Sequence, residues 1–145
     1  MKRIKINYKP LKELLSSQDR WCQEELAKDE HGNNVRPRNP NAVRFCLLGA
    51  IIKLYESRPR HYLLADFILE TVKDKIRYLL PDYRSLSTFN DTHSFEDIKA
   101  ILNKLPDEEV VDISEDIVSE QTKGFLNSDT LTLIEDKDNE SNNKS

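Results

Sequence analysis

"NAVRFCLLGAIIKLY", residues 41–55, holds eight consecutive apolar positions from Phe45 to Ile52, with a cysteine and a glycine set among them. Asn39-Pro40 stands just before it, and a capping residue followed by proline suits a first helical turn, where the missing N–H costs nothing. Read this way, the stretch is a helix over 41–57, apolar all round, that other helices must surround. Cys46, Gly49 and Ala50 fall at i, i+3 and i+4 and form a stripe of small side chains. Such a stripe lets a neighbouring backbone come close, which accounts for a glycine that costs a helix about 1 kcal/mol relative to alanine.

On the N-terminal side, RIKINY alternates, with Ile4, Ile6 and Tyr8 on one face, the period of a short half-buried strand. Pro10 then opens a short amphipathic helix carrying Leu11, Leu14 and Leu15, and Gln18-Asp19 caps a second, RWCQEELAK, anchored by Trp21. Residues 29–41, rich in Gly, Asn and Pro, form a long loop, a place where binding surfaces are often built. On the C-terminal side Arg58-Pro59-Arg60 breaks the central helix, and a longer one runs from about Tyr62 to Leu80, closed by Pro81. Residues 82–93 read as a second loop. Ser94 caps a last helix with Phe95, Ile98, Ile101, Leu102 and Leu105 on one face, and Asp97 completes a capping box.

Charge divides the chain. Residues 1–106 carry 19 Lys+Arg against 14 Asp+Glu, and residues 107–145 carry 3 against 12. The composition therefore predicts a mildly basic helical domain, 1–106, followed by an acidic, largely disordered tail, 107–145. The apolar clusters VVDI, DIVS and FLNSDTLTLI within that tail read as short strands or as anchors that fold onto a partner. The fold class expected is mostly α, a compact bundle of about four to five helices around the 41–57 helix, with a short N-terminal strand and a flexible acidic tail.

Two cysteines make no disulfide framework, and MKRIKINYKP lacks the apolar core of a secretory signal, so a cytoplasmic, reduced protein is expected. A bilayer span needs about 20 apolar residues, far more than this chain supplies, so no membrane association is expected. The three glycines, Gly32, Gly49 and Gly124, are scattered, and neither a P-loop nor a dinucleotide fingerprint can be built from them. No cofactor is expected. Nor is a metal: there is no CxxC, HxxxH or HExxH among Cys22, Cys46, His31, His61 and His93.

A nucleophilic site has its residue types on paper, since Cys46 or Cys22 with His93 and Asn90 or Asp91 supplies thiol, imidazole and orienting group. Against it, Cys46 lies about two turns into an apolar helix, where a thiol is a packing residue. Arg36, Arg38 and Arg44 cluster around the expected start of the central helix and read first as a solvated charged face and second as an anion site, since N–H groups and the helix dipole there favour an anion. Asn90 and Asp91, just before the last helix, read first as turn-shaping residues and second as ligand contacts.

Two segments, RWCQEELAKDEHGNNVRPRNPNAVRFCLLGAI and STFNDTHSFEDIKAILNKL, resemble domain-of-unknown-function family 6197, small uncharacterised bacterial and phage proteins. The pattern is carried by Trp21, Cys22, Gln23, Gly32, Ala42, Val43, Phe45, Cys46, Gly49, Ala50, Phe89, Asn90 and Asp91. One departure is Phe45, where the family often has Trp. The resemblance covers about residues 9–105, leaves the acidic segment outside and implies no activity.

The preferred reading is a non-enzymatic accessory or regulatory module that binds another macromolecule, a protein, through the 29–41 and 82–93 loops, with Arg36, Arg38, Arg44, Asn90 and Asp91 as contacts. Nucleic acid is an unfavoured partner, because no aromatic-basic motif is present and the acidic segment opposes it. The rivals are a small hydrolase or transferase using Cys46 or Cys22 with His93, and a phage or host factor whose acidic tail competes for a basic surface.

Overall fold

Ile4 and Ile6 are fully buried in the middle strand of a three-stranded antiparallel sheet. That strand, β1 (Lys2–Asn7), is the alternating segment expected from the sequence. The structure is a computed structural model and describes residues 2–56, 63–81, 85–118, 126 and 128–134. Its other elements are α1 (Lys9–Leu14), β2 (Ala27–Lys28), β3 (Arg44–Phe45), α2 (Leu47–Tyr55), α3 (Leu63–Arg77), α4 (Leu86–Thr92), α5 (Phe95–Lys104), β4 (Glu108–Ile113) and β5 (Leu131–Ile134). With five α-helices and two small antiparallel sheets among the described residues, the fold is an α/β mixture, not the mostly α bundle expected.

The correction has two sources, both long-range. The first is the acidic segment, expected as a flexible tail. It supplies β4 and β5, which flank β1 in the order β4-β1-β5, with Ile4 opposite Val111 on one side and Leu133 on the other. A lone strand leaves its backbone groups unpaired, so β1 needs both neighbours. Side chains then join the segment to the body: Tyr8 Oη donates to Glu109 Oε1 at 2.8 Å, Lys75 pairs with Glu109 at 3.1 Å, and Lys12 pairs with Asp107 at 3.1 Å. Residues 136–145, expected to be disordered, lie outside the described residues, as does His61.

The second source is the start of the central helix. Arg44 and Phe45 pair with Lys28 and Ala27 in a two-stranded sheet, so the chain is extended where the sequence suggests helix, and α2 starts only at Leu47 with Cys46 as its cap. The expected helix over RWCQEELAK is likewise a short 3-10 turn at Gln18–Arg20 followed by extended and bent chain, because Trp21 forms a parallel bridge to Phe45. Once begun, α2 is the packing centre: Leu47, Ala50, Ile51 and Tyr55 are fully buried, and the helix meets α1, α3 and α4. Gly49 has the role its stripe implies, for a Cβ there would stand 1.9 Å from the Leu26 carbonyl oxygen. The remaining differences are smaller. The 82–93 loop contains α4, capped by Ser85, whereas the capping box of Ser94 and Asp97 at the start of α5 is formed as expected.

Candidate functional site

The strands that displaced the helix build a four-segment patch. Asn34 bridges Lys28, Lys28 pairs with Arg44, and Phe45 bridges Trp21. Side chains alternate between faces of a strand. Ala27 and Phe45 are accordingly buried beneath the patch, while Lys28 and Arg44 stand side by side on its outer face.

Asn90 completes this patch from below. The ladder begun by Cys22 N–H donating to Phe45 O at 3.1 Å would continue with Leu47 N–H donating to Cys22 O. Instead the Asn90 carboxamide is inserted between them: Leu47 N–H donates to Asn90 Oδ1 at 2.9 Å, and Asn90 Nδ2 donates to Cys22 O at 3.0 Å. Trp21 Nε1–H also donates to Oδ1, at 2.6 Å, and the second Nδ2 proton goes to Asp91 Oδ1 at 3.1 Å. All four positions of the amide are used, which is how a polar side chain tolerates complete burial.

Neighbouring residues reinforce the joint. Gln23 Nε2 donates to the carbonyls of Asn90 and His93, and Glu24 N–H donates to Asp91 Oδ1 at 2.7 Å. Glu24 is held at φ 73°, a left-handed conformation that non-glycine residues seldom adopt. Asn90 and Asp91 therefore lie within α4 and bond across to the 21–24 segment, not to a turn ahead of the last helix.

The catalytic candidates come together only in part. Cys22 and Cys46 are both buried free thiols. Burial pushes Cys22 from its ordinary 9.0 up to about 11, with the charge of a Cys46 thiolate adding to it, although Lys28 and Arg44 pull the other way. Cys46 stands at a helix N-terminus, not two turns inside, and its Sγ accepts Gly49 N–H at 3.2 Å. A helix N-terminus ordinarily lowers a thiol pKa. Here burial outweighs that pull, and the thiol is raised. His93 stacks on Phe89 at 4.0 Å, and its Nδ1 meets Phe89 O at 2.9 Å and Thr92 Oγ1 at 3.0 Å, so the ring is engaged within α4 and its end.

The basic candidates separate. Arg44 lies in β3 at the entry to α2, whereas Arg38 Nη1 donates to the Glu56 carbonyl at the opposite end of that helix, where a cation suits the dipole. Arg36 is exposed in the 29–41 loop, and its carbonyl accepts Asn39 N–H in a turn. That loop is ordered locally: Asp29 Oδ1 accepts the N–H groups of His31 and Asn33, and Gly32 takes φ 83°. The Asn33 N–H is the chief cause holding the Asp29 carboxyl below its ordinary value. Lys28, which the sequence did not mark, is the functional candidate the patch adds. Its position opposite Arg44 depends on a pairing no local pattern displays.

Beside Lys28 and Arg44 lies an open recess of about 610 Å³, lined also by Gln18, Asp19, Trp21, Cys22, Gln23 and Glu24. A second recess, about 700 Å³, runs along β1 and β5, where Lys5 pairs with Glu108 at 3.4 Å and Lys53 lies over the Phe45 ring. Among the described residues no group of His, Cys, Asp and Glu could hold a metal ion, and no helix is long and apolar enough to cross a membrane.

A family model described as a family of unknown function (DUF6197) matches residues 8–108. No curated protein and no solved structure matches the chain.

Proposed function

The chain belongs to the family of unknown function DUF6197, and we propose that it is a non-enzymatic module that binds an acidic segment of another protein. The observation that carries this reading is the Lys28–Arg44 pair. Like charges directly opposite in a ladder are unfavourable. Neither side chain has an ion-pair partner among the described residues, and both face the same recess. Two adjacent cations that make no ion pair among the described residues suit a carboxylate-bearing guest, with Asp19 and Glu24, which line the same recess, limiting how many acidic groups it accepts. The 29–41 loop bounds this face on one side through Asn34, and the Asp91 end of α4 bounds it on the other through Glu24.

The Cys-His alternative has less support. It needs an ionised thiol beside an imidazole, whereas both thiols are raised by burial and, among the described residues, His93 bonds only to Phe89 O, Thr92 Oγ1 and, through its carbonyl, Gln23, with no bond to either thiol.

The test is titration of the isotope-labelled chain with a short Asp/Glu-rich peptide, followed by amide chemical shifts. Shifts concentrated at residues 18–28 and 44–46 are expected, weakening as salt screens the charges. They should vanish in the Lys28→Glu, Arg44→Glu variant. Absent or evenly scattered shifts, or shifts that the double variant leaves intact, would contradict the reading.

A further inference from the structure

We propose that Cys22 and Cys46 form a reversible intramolecular disulfide, a covalent staple between the 21–26 segment and the start of α2. The geometry comes from the ladder. Trp21 and Phe45 are partners in a parallel bridge, and Cys22 N–H donates to Phe45 O at 3.1 Å. Continued by one residue, that register makes Cys22 and Cys46 the next pair along the two segments, and a pleat would turn both side chains to the same face. Adjacent strands run about 4.8 Å apart, inside the Cα separation of about 4.4–6.8 Å that a disulfide spans. The inserted Asn90 carboxamide lies between Cys22 O and Leu47 N, while the Cys22 N–H side of the pair keeps its direct bond to Phe45 O. Both thiols are free, and each is near enough for a charge on Cys46 to oppose ionisation of Cys22. Cys22 also lines the recess that Lys28 and Arg44 face, which gives a small oxidant its way in.

The oxidant is a low-molecular-weight disulfide. The Cys22 thiolate attacks one of its sulfurs, forming a mixed disulfide and expelling one small thiolate. Cys46 then loses its proton and attacks the Cys22 sulfur, forming the Cys22–Cys46 bond and expelling the second. Two electrons pass from the protein thiols to the small disulfide, and the two protons end on the two thiols released. The inference holds whether or not the recess binds an acidic partner.

The experiment exposes the full native chain to oxidised glutathione at pH 9, without denaturant, and follows intact mass and tryptic peptides. The expected product has lost two hydrogen masses, carries no glutathione, yields a linked Cys22–Cys46 peptide pair and reverts with dithiothreitol. Cys46→Ser should stop at one glutathione adduct on Cys22, the intermediate the wild-type chain resolves. Unchanged mass, two adducts, bonds only between molecules, or a linked pair that appears only in denaturant would each overturn the proposal.

Discussion

Asn90 shows how a residue that looks like part of an active site can instead be the joint of a fold. Its carboxamide satisfies the Trp21 indole, the Leu47 N–H and the Cys22 carbonyl at once. Replacing it with leucine keeps the bulk but orphans all three, and at about 1–3 kcal/mol for each unsatisfied buried group the loss is several kcal/mol. Urea unfolding of Asn90→Leu should show that loss. Gly49→Ala should also destabilise strongly, by at least about 2 kcal/mol, since the added methyl meets the Leu26 backbone, which cannot swing aside as a side chain would. The residue types Trp-Cys-Gln, Cys-x-x-Gly and Phe-Asn-Asp were legible in the sequence. Their meaning was not, because a side-chain amide standing in for one rung of a ladder requires three distant segments to meet. Alkali provides a third expectation at this scale. With Cys22 raised from 9.0 to about 11, the unfolded chain ionises first as pH climbs, so this thiol's contribution to stability is intact below about pH 9 and lost by pH 11. Burial raises Tyr8 and Tyr55 in the same direction. Melting temperatures measured across that range should fall, and Cys22→Ser should lessen the slope.

Among the elements, those specified by local signals are the ones a reader of the sequence finds. The alternation of β1, the Pro10 start of α1 and the Ser94/Asp97 box of α5 are all written within a few residues. Removing the Ser94 hydroxyl takes away the acceptor for Asp97 N–H, so Ser94→Ala should cost about 1 kcal/mol by denaturant unfolding. Other elements answer to partners far away. Asn39-Pro40 has the chemistry of a helix start, yet Arg44–Phe45 is drawn into a ladder with Ala27–Lys28, and tertiary pairing overrides the local preference. The Ser, Thr, Asn and Asp of LSTFNDT favour turns in isolation. They are helical as α4 because Leu86, Phe89 and Asn90 are buried.

For the whole molecule, the division of charge visible in the sequence becomes attachment. Glu108, Glu109 and Asp107 meet Lys5, Lys75 and Lys12. Such partly exposed pairs contribute little individually. The larger contribution is β-pairing: ending the chain at Pro106 removes both neighbours of β1 and uncovers Ile4 and Ile6. A chain so shortened should lose its cooperative thermal transition by circular dichroism; an unchanged melting temperature would mean that β4 and β5 are dispensable. Of the apolar clusters read as short strands or anchors, VVDI does lie in β4 and FLNSDTLTLI does end in β5; their pairing was hidden because polar, acidic sequence reads as disordered until its strand partner, about a hundred residues earlier, is known.

Both thiols are buried, and burial raises both, so neither is ionised near neutrality. The most direct test is the alkylation rate of Cys22 and Cys46 in the native chain from pH 6 to 11, resolved by mass spectrometry. Negligible reaction near neutrality is expected for both and, for Cys22, a rise governed by a pKa of about 11. Rapid native alkylation at neutral pH, with an apparent pKa below the free thiol value of about 8.5, would contradict it and return the Cys-His chemistry to first place.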